Sequence, residues 1–195
     1  SRVTPTIPVE DHLAIARTLS GDTRAFGVLI GRYQNMVQTV TGRVMRNRMD
    51  AEEVTQDVFV KAHQKLSEFQ GQGKFSTWLY SIAYRTAISA LRSKKDAGRS
   101  LDELQAHGSE PMEDAIEPIN ERRVQLEIAL GKLDHEDAAL LTMFYLEEMS
   151  VEEIVTVTQL SASNVKVRLH RNRKKLLALL HDQLKNELWT MSARA

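Results

Sequence analysis

The sequence predicts an all-α protein: two small helical domains joined by an acidic flexible linker, the C-terminal domain a helix-turn-helix. Three observations predict it. Apolar residues recur at three- and four-residue spacing in nearly every patterned segment, and no segment alternates as a half-buried strand would. Pro5, Pro8, Gly21, Gly98, Gly108, Pro111 and Pro118 fall between those segments rather than inside them. The charges balance to a net of zero but are unevenly placed. Residues 100–121 contain no Lys or Arg and carry Asp102, Glu103, Glu110, Glu113, Asp114, Glu117 and Glu121, whereas Arg92, Lys94, Lys95 and Arg99 precede them. Blocks of this kind mark separate contact surfaces rather than uniform solvation.

The elements follow in order. After the Pro-containing tail a short helix covers 10–19, and Gly21 with Asp22 ends it. Phe26, Ile30, Tyr33, Val37, Val40 and Val44 mark one face of a long amphipathic helix. Asp50 with Glu53 reads as a capping pair opening a helix that turns Val54, Val58, Ala62 and Leu66 inward. A glycine-containing loop over 69–75 leads to a helix carrying Leu79, Ile82, Ala83, Thr86 and Leu91. These make one domain, 10–95. The acidic stretch 96–119 reads as the linker. A second domain, 120–184, has helices over 121–133 and 135–147, then a pair of helices around a turn. In that pair Ser150 and Glu153 form a capping box before Val151, Ile154 and Val155. Residues 159–161 break the pattern, and a helix from near Ser161 puts Val165, Leu169 and Leu176 on one side. The residues after His181 extend it.

There is no cysteine, which excludes disulfides, thiolate metal sites and thiol redox sensing within the chain. No apolar run is long enough for a membrane span and no signal-peptide pattern opens the chain, so a cytoplasmic protein without membrane insertion is expected.

Two stretches carry chemistry. Around the inner side of the last helix, Lys166, His170, Arg171, Arg173 and Lys174 spread over the remaining surface. A helix that packs on one side and is cationic on the other suits the DNA major groove. The basic run alone equally fits an ordinary solvated helix, and the helix pair before it favours DNA. Earlier, Phe69, Phe75, Trp78, Tyr80 and Tyr84 interleave with Lys74, Arg85, Arg92, Lys94 and Lys95. Single-stranded DNA is held by such stacking platforms beside phosphate-tracking cations. A pocket for an unstacked base fits best at 70–74, next to Phe75 and Trp78. For Trp78 two readings stand together: a ring packed in a small bundle, and one with an edge near the strand. The helix opened by Asp50 turns Glu53, Gln56, Asp57, Val60 and Gln64 outward, which by pattern alone is a solvated face. Glu53 and Asp57 stand at i, i+4, but with no His or further converging acid no metal is expected, and His170 has no second His at pairing distance. No nucleophile constellation or phosphate-cradling glycine loop is present, so no catalytic residue, cofactor or small-molecule substrate is expected either.

Four blocks in order are similar to bacterial sigma factors of the extracytoplasmic-function group of the sigma-70 family: GDTRAFGVLIGRYQNMV, DAEEVTQDVFVKAHQKLSEF, GKFSTWLYSIAYRTAISALR, and LDHEDAALLTMFYLEEMSVEEI with NVKVRLHRNRKKL. The resemblance covers about residues 10 to 180 and lacks the middle domain of larger sigma factors. It implies three partners: core RNA polymerase, promoter DNA in duplex and single-stranded form, and an anti-sigma factor. It makes Glu53, Gln56, Asp57 and Val60 the polymerase-binding face. It assigns Lys74, Phe75, Trp78, Tyr84, Arg85 and Arg92 to the −10 element and melting. It assigns Ser163, Asn164, Lys166, Val167, His170, Arg171, Arg173 and Lys174 to the −35 element. Val167 stands where Ser is common, Ser163-Asn164 where Gly-Thr is usual, Gln159 where a turn glycine is frequent, and Arg85 where a small polar residue is common. The preferred promoter sequence therefore does not transfer. For the linker, a nucleic-acid-mimicking tether and a solubilising spacer both remain open. The alternative is a stand-alone helix-turn-helix regulator, which has no need of the aromatic-basic block.

Overall fold

The computed structural model describes residues 9–71, 73–97 and 121–192, and every regular element among them is helical. The helices are α1 (Val9–Leu19), α2 (Phe26–Met45), α3 (Arg48–Gln64) and α4 (Phe75–Asp96), then α5 (Glu121–Gly131), α6 (His135–Tyr145), α7 (Val151–Thr158) and α8 (Ala162–Ser192). The acidic stretch assigned as linker lies, from residue 98 onward, outside the described residues.

In the first domain α2, α3 and α4 pack on one another around Val37, Val40, Val44, Val58, Ala62, Leu79 and Ala83, all buried. The helix α1 is tied on by a buried acid. Asp11 is fully enclosed, accepts from Arg32 Nη1 at 2.6 Å and also accepts from the Tyr33 hydroxyl. A buried carboxylate survives because both its oxygens are paired.

The start of α3 corrects one expectation. The N-cap is Asn47, whose side chain accepts from Asp50 N at 3.0 Å, so the helix begins at Arg48. Asn is among the strongest N-caps, and it stands three residues ahead of Asp50. Asp50, freed from capping, pairs instead with Lys94 of α4.

The helix α4 buries more than one stripe. Besides Leu79, Ala83, Thr86 and Leu91, it buries Tyr80, Tyr84, Ala87 and Ile88. The reason is that the second domain lies against it: α7 packs on α4 and α6 packs on α2, and one continuous hydrophobic cluster joins both domains. Enclosed from both sides, α6 is buried nearly all round, at Ala138, Ala139, Leu140, Leu141, Thr142 and Met143.

The interface is polar at its edges. Arg43 donates to both carboxylate oxygens of Glu127, at 2.6 and 2.9 Å. Arg46 ends α2 in the left-handed region, φ 55°, and sends its guanidinium to the Leu133 carbonyl at 2.6 Å, just past the end of α5. His135 Nδ1 meets the carbonyl of Val44. Beyond the interface, α8 runs unbroken past residue 184 to Ser192.

Candidate nucleic-acid interface

The helix pair is assembled from local rules. Ser150 accepts from Glu153 N at 3.2 Å while Glu153 accepts from Ser150 N at 2.9 Å, a complete capping box. Ile154 and Val157 seat α7. Gln159 then turns the chain with φ 61° and ψ 18°, its N–H donating to Val155 O at 2.8 Å. Ser161 accepts from Asn164 N at 3.2 Å and starts α8.

The first half of α8 divides cleanly. Val165, Leu169 and Asn172 face inward and are buried. Ser163, Asn164, Lys166, Val167, His170, Arg171, Arg173 and Lys174 are all exposed on the other side, as the sequence pattern requires. Val167 is 61% exposed. An apolar branched side chain held out among cations matches a thymine methyl in the major groove. Between these faces stands a residue the sequence reading missed. Arg168 is largely buried and donates to Asp137 Oδ1 from Nε at 2.7 Å and also from Nη2.

On α4 the expected residues divide differently. Phe75 is 1% exposed, with Tyr33, Phe69 and Trp78 rings at centroid distances of 5.4, 5.3 and 5.4 Å. It is a core ring with no face open to a base. Tyr84 is buried against the second domain, and that burial pushes its hydroxyl up to about 12. Trp78 stays half-buried over Phe69 and Phe75, so its packed and exposed aspects coexist.

Three of the expected cations, Lys74 just before α4 and Arg85 and Arg92 on it, are engaged by the second domain. Lys74 Nζ lies 3.0 Å from Glu153 Oε1, to which Thr77 also donates at 3.2 Å. Arg85 donates to the carbonyls of Thr156 and Val157 at 2.7 and 3.2 Å, where the C-terminal end of the α7 dipole favours a guanidinium. Arg92 reaches Glu136 at 3.2 Å. Groups that suit phosphate suit carboxylates and helix carbonyls equally, and here they hold protein.

The outer side of α3 remains open, because the second domain packs on α2 and α4. Glu53, Gln56, Asp57 and Val60 are exposed there, with Met49, unflagged by the pattern, 79% exposed near the helix start. A second surface missed by sequence reasoning is an apolar groove of about 290 Å³ between α5, α6 and α8, lined by Leu126, Leu130, Leu141, Tyr145, Leu146 and Leu176. Among the described residues no group of three or more His, Asp or Glu is placed to hold a metal ion, and no helix is long and apolar enough to cross a membrane.

Comparison with known proteins identifies the family of each domain. Residues 29–97 match the family described as Sigma-70 region 2, and residues 123–176 match Sigma-70, region 4. The chain is 29% identical over 179 residues to the ECF RNA polymerase sigma factor SigW of Bacillus subtilis, covering 86% of this chain and 95% of that one. It is 28% identical over 174 residues to the ECF RNA polymerase sigma-E factor of Escherichia coli, covering 84% and 91%. Its fold is similar to that of CnrH, solved in complex with the cytosolic domain of CnrY, with a TM-score of 0.63, 28% identity and coverage of 89% and 98%.

Proposed function

Because the chain belongs to the sigma-70 family, in its extracytoplasmic-function group, we propose that it docks on core RNA polymerase through α3, reads the −35 element with α8, and reads and melts the −10 element with α4. Glu53, Gln56, Asp57 and Val60 form the docking face. Lys166, Val167, His170 and Arg171 meet base edges, and Arg173 and Lys174 hold phosphates, which position without specifying. The chain supplies recognition and strand separation, and the polymerase supplies catalysis. It acts in the cytoplasm, where the polymerase works.

The observation that carries the reading is the division of α8, with Val165, Leu169 and Asn172 buried on its inner side and Ser163, Asn164, Lys166, Val167, His170, Arg171, Arg173 and Lys174 exposed on the other. Lys74, Arg85 and Arg92 cannot hold DNA while they hold Glu153, the α7 carbonyls and Glu136. The arrangement described is therefore a closed one, and the −10 element is read after the two domains part. Inhibition by an anti-sigma factor belongs to the same proposal, supported by the likeness to CnrH in its complex.

Run-off transcription with core polymerase tests the function. Added chain should start transcription at a specific promoter and by itself bind duplex promoter DNA weakly. Tight specific binding without polymerase, combined with no effect on initiation, would instead establish the stand-alone regulator.

A further inference from the structure

We infer that Asp137 is a positioning residue for α8: its one carboxylate holds Arg168 and Arg171 and so sets the rotation of the reader helix about its own axis. The inference rests on α8 reading −35 DNA.

Asp137 lies in the first turn of α6, behind the Asp134 N-cap, and its side chain is nearly enclosed. The positive end of the α6 dipole favours a carboxylate there. Its two oxygens are shared out. Oδ1 accepts from Nε and Nη2 of Arg168, and Oδ2 faces Nη2 of Arg171 at 3.6 Å, an ion pair beyond hydrogen-bond reach. Glu136 adds a second contact to Arg168 at 3.5 Å. The Arg168 side chain is 16% exposed, too enclosed to serve the groove itself.

Residues three apart on a helix lie about 60° from one another around its axis. A carboxylate forked to Arg168 and ion-paired with Arg171 opposes rotation away from either. The apolar contacts of Val165 and Leu169 fix which side of α8 turns inward and how deep it sits, while the hydrophobic term itself is non-directional. The directional Arg fork supplies what they lack. At a side-chain radius of about 6 Å, a rotation of roughly 20° moves a side-chain tip by about 2 Å. That is far outside the tolerance of a hydrogen bond to a base edge. Rotation therefore decides which of Lys166, Val167, His170 and Arg171 meets a base.

The test uses the full chain with core polymerase and two promoter libraries, one randomised in the −35 element and one in the −10 element. Asp137→Asn keeps the shape and removes the charge. It should flatten the −35 preference by about tenfold, the scale of one lost bidentate base contact, with the −10 preference retained. Arg168→Lys keeps the charge but not the fork, and should flatten the −35 preference similarly. The exchanged pair Asp137→Arg with Arg168→Asp should recover much of the preference lost by Asp137→Arg alone. Undiminished −35 preference in Asp137→Asn or Arg168→Lys overturns the inference. So does a uniform fall of both preferences together with melting temperature, because that marks simple destabilisation. Combined alanine replacement of Lys166, Val167 and His170 serves as the control. If it leaves the −35 preference intact, the reading of α8 fails. If it abolishes the preference while Asp137→Asn does not alter it, only the role of Asp137 fails.

Discussion

Lys74 and Glu153 meet at 3.0 Å across the domain interface, and the carboxylate that receives the ammonium also closes the α7 capping box through Ser150 N at 2.9 Å. One side chain thus starts a helix and docks it. Burial pushes the Glu153 acid up, and bonds from Ser150, Lys74 and Thr77 outweigh that and hold it below the usual range. The paired ions are partly solvated, so each contributes modestly, and closure depends on several such contacts around a shared apolar core.

The most enclosed of these contacts is Arg43 with Glu127, a two-bond fork with side chains 11% and 29% exposed. Glu127→Gln should weaken closure by about 1–2 kcal/mol, close to tenfold in the closed-to-open ratio. Energy transfer between dyes on α3 and the distal half of α8 should fall, and binding of −10 single-stranded DNA should rise. Unchanged transfer would mean the fork is not part of the latch.

Closure should also loosen in mild acid. His135 sits between α6 and Val44, and its pKa is lowered by burial first and by the nearby Arg46 charge second, with the Val44 carbonyl opposing. A lowered base favours the closed form when neutral. That contribution is complete above the ordinary His value of about 6.5 and is lost as pH falls through it toward the lowered one. Glu147, raised by burial, acts in the opposite sense at lower pH, where its protonation favours burial. Transfer efficiency followed from pH 7.5 to about pH 5.5 should drop in the wild type and stay flatter in His135→Asn. Equal slopes in the two proteins would remove His135 from the closure equilibrium.

Gln159 holds φ 61° in the turn between α7 and α8 and is exposed. A left-handed conformation costs a residue with a Cβ roughly 1 kcal/mol that glycine avoids. Gln159→Gly should therefore raise the melting temperature by a few degrees, with the −35 preference unchanged. A lower melting temperature would show that the Gln side chain contributes more than its backbone costs.

Phe75 and Trp78 should separate in mutagenesis. Phe75→Ala empties a core position and should destabilise the fold by about 3–5 kcal/mol. Trp78→Ala, at a half-buried ring, should cost less stability. It should impair initiation from duplex promoter more than from a pre-melted one. Equal loss on both templates would make Trp78 a packing residue alone.

Lys166 and Lys174 are both exposed on α8 and should fail differently. Lys166→Ala should relax one −35 position by about 1–3 kcal/mol if it makes a bidentate base contact. Lys174→Ala should weaken binding across all sequences and reduce the salt slope by about one charge. Footprinting of the polymerase complex over a salt series distinguishes them.

Much of the fold was legible because its signals are local. The stripe Val37, Val40 and Val44, the Ser150–Glu153 box and the break at Gln159 each depend on residues within one or two turns, and each stands where the pattern put it. The Asp50–Glu53 pair misled for the same reason: two cap signals lay within one turn, and Asn47 took the position. Phe75 and Tyr84 read as stacking rings because aromatic-basic interleaving does not say which ring is enclosed. Arg168 was invisible as a positioning group, since in sequence it is one more cation in a basic run.

The sequence by itself determined the helices, their caps, and the outward cationic face of α8, because a 3.6-residue period and an N-cap are decided by neighbours along the chain. Only the tertiary structure decided which cations face solvent and which hold protein. Arg92 finds Glu136 at a separation of 44 residues and Arg85 finds Thr156 at 71. A guanidinium is equally suited to phosphate, carboxylate and carbonyl, so its residue type leaves the partner open. The docking of α7 on α4 settles it.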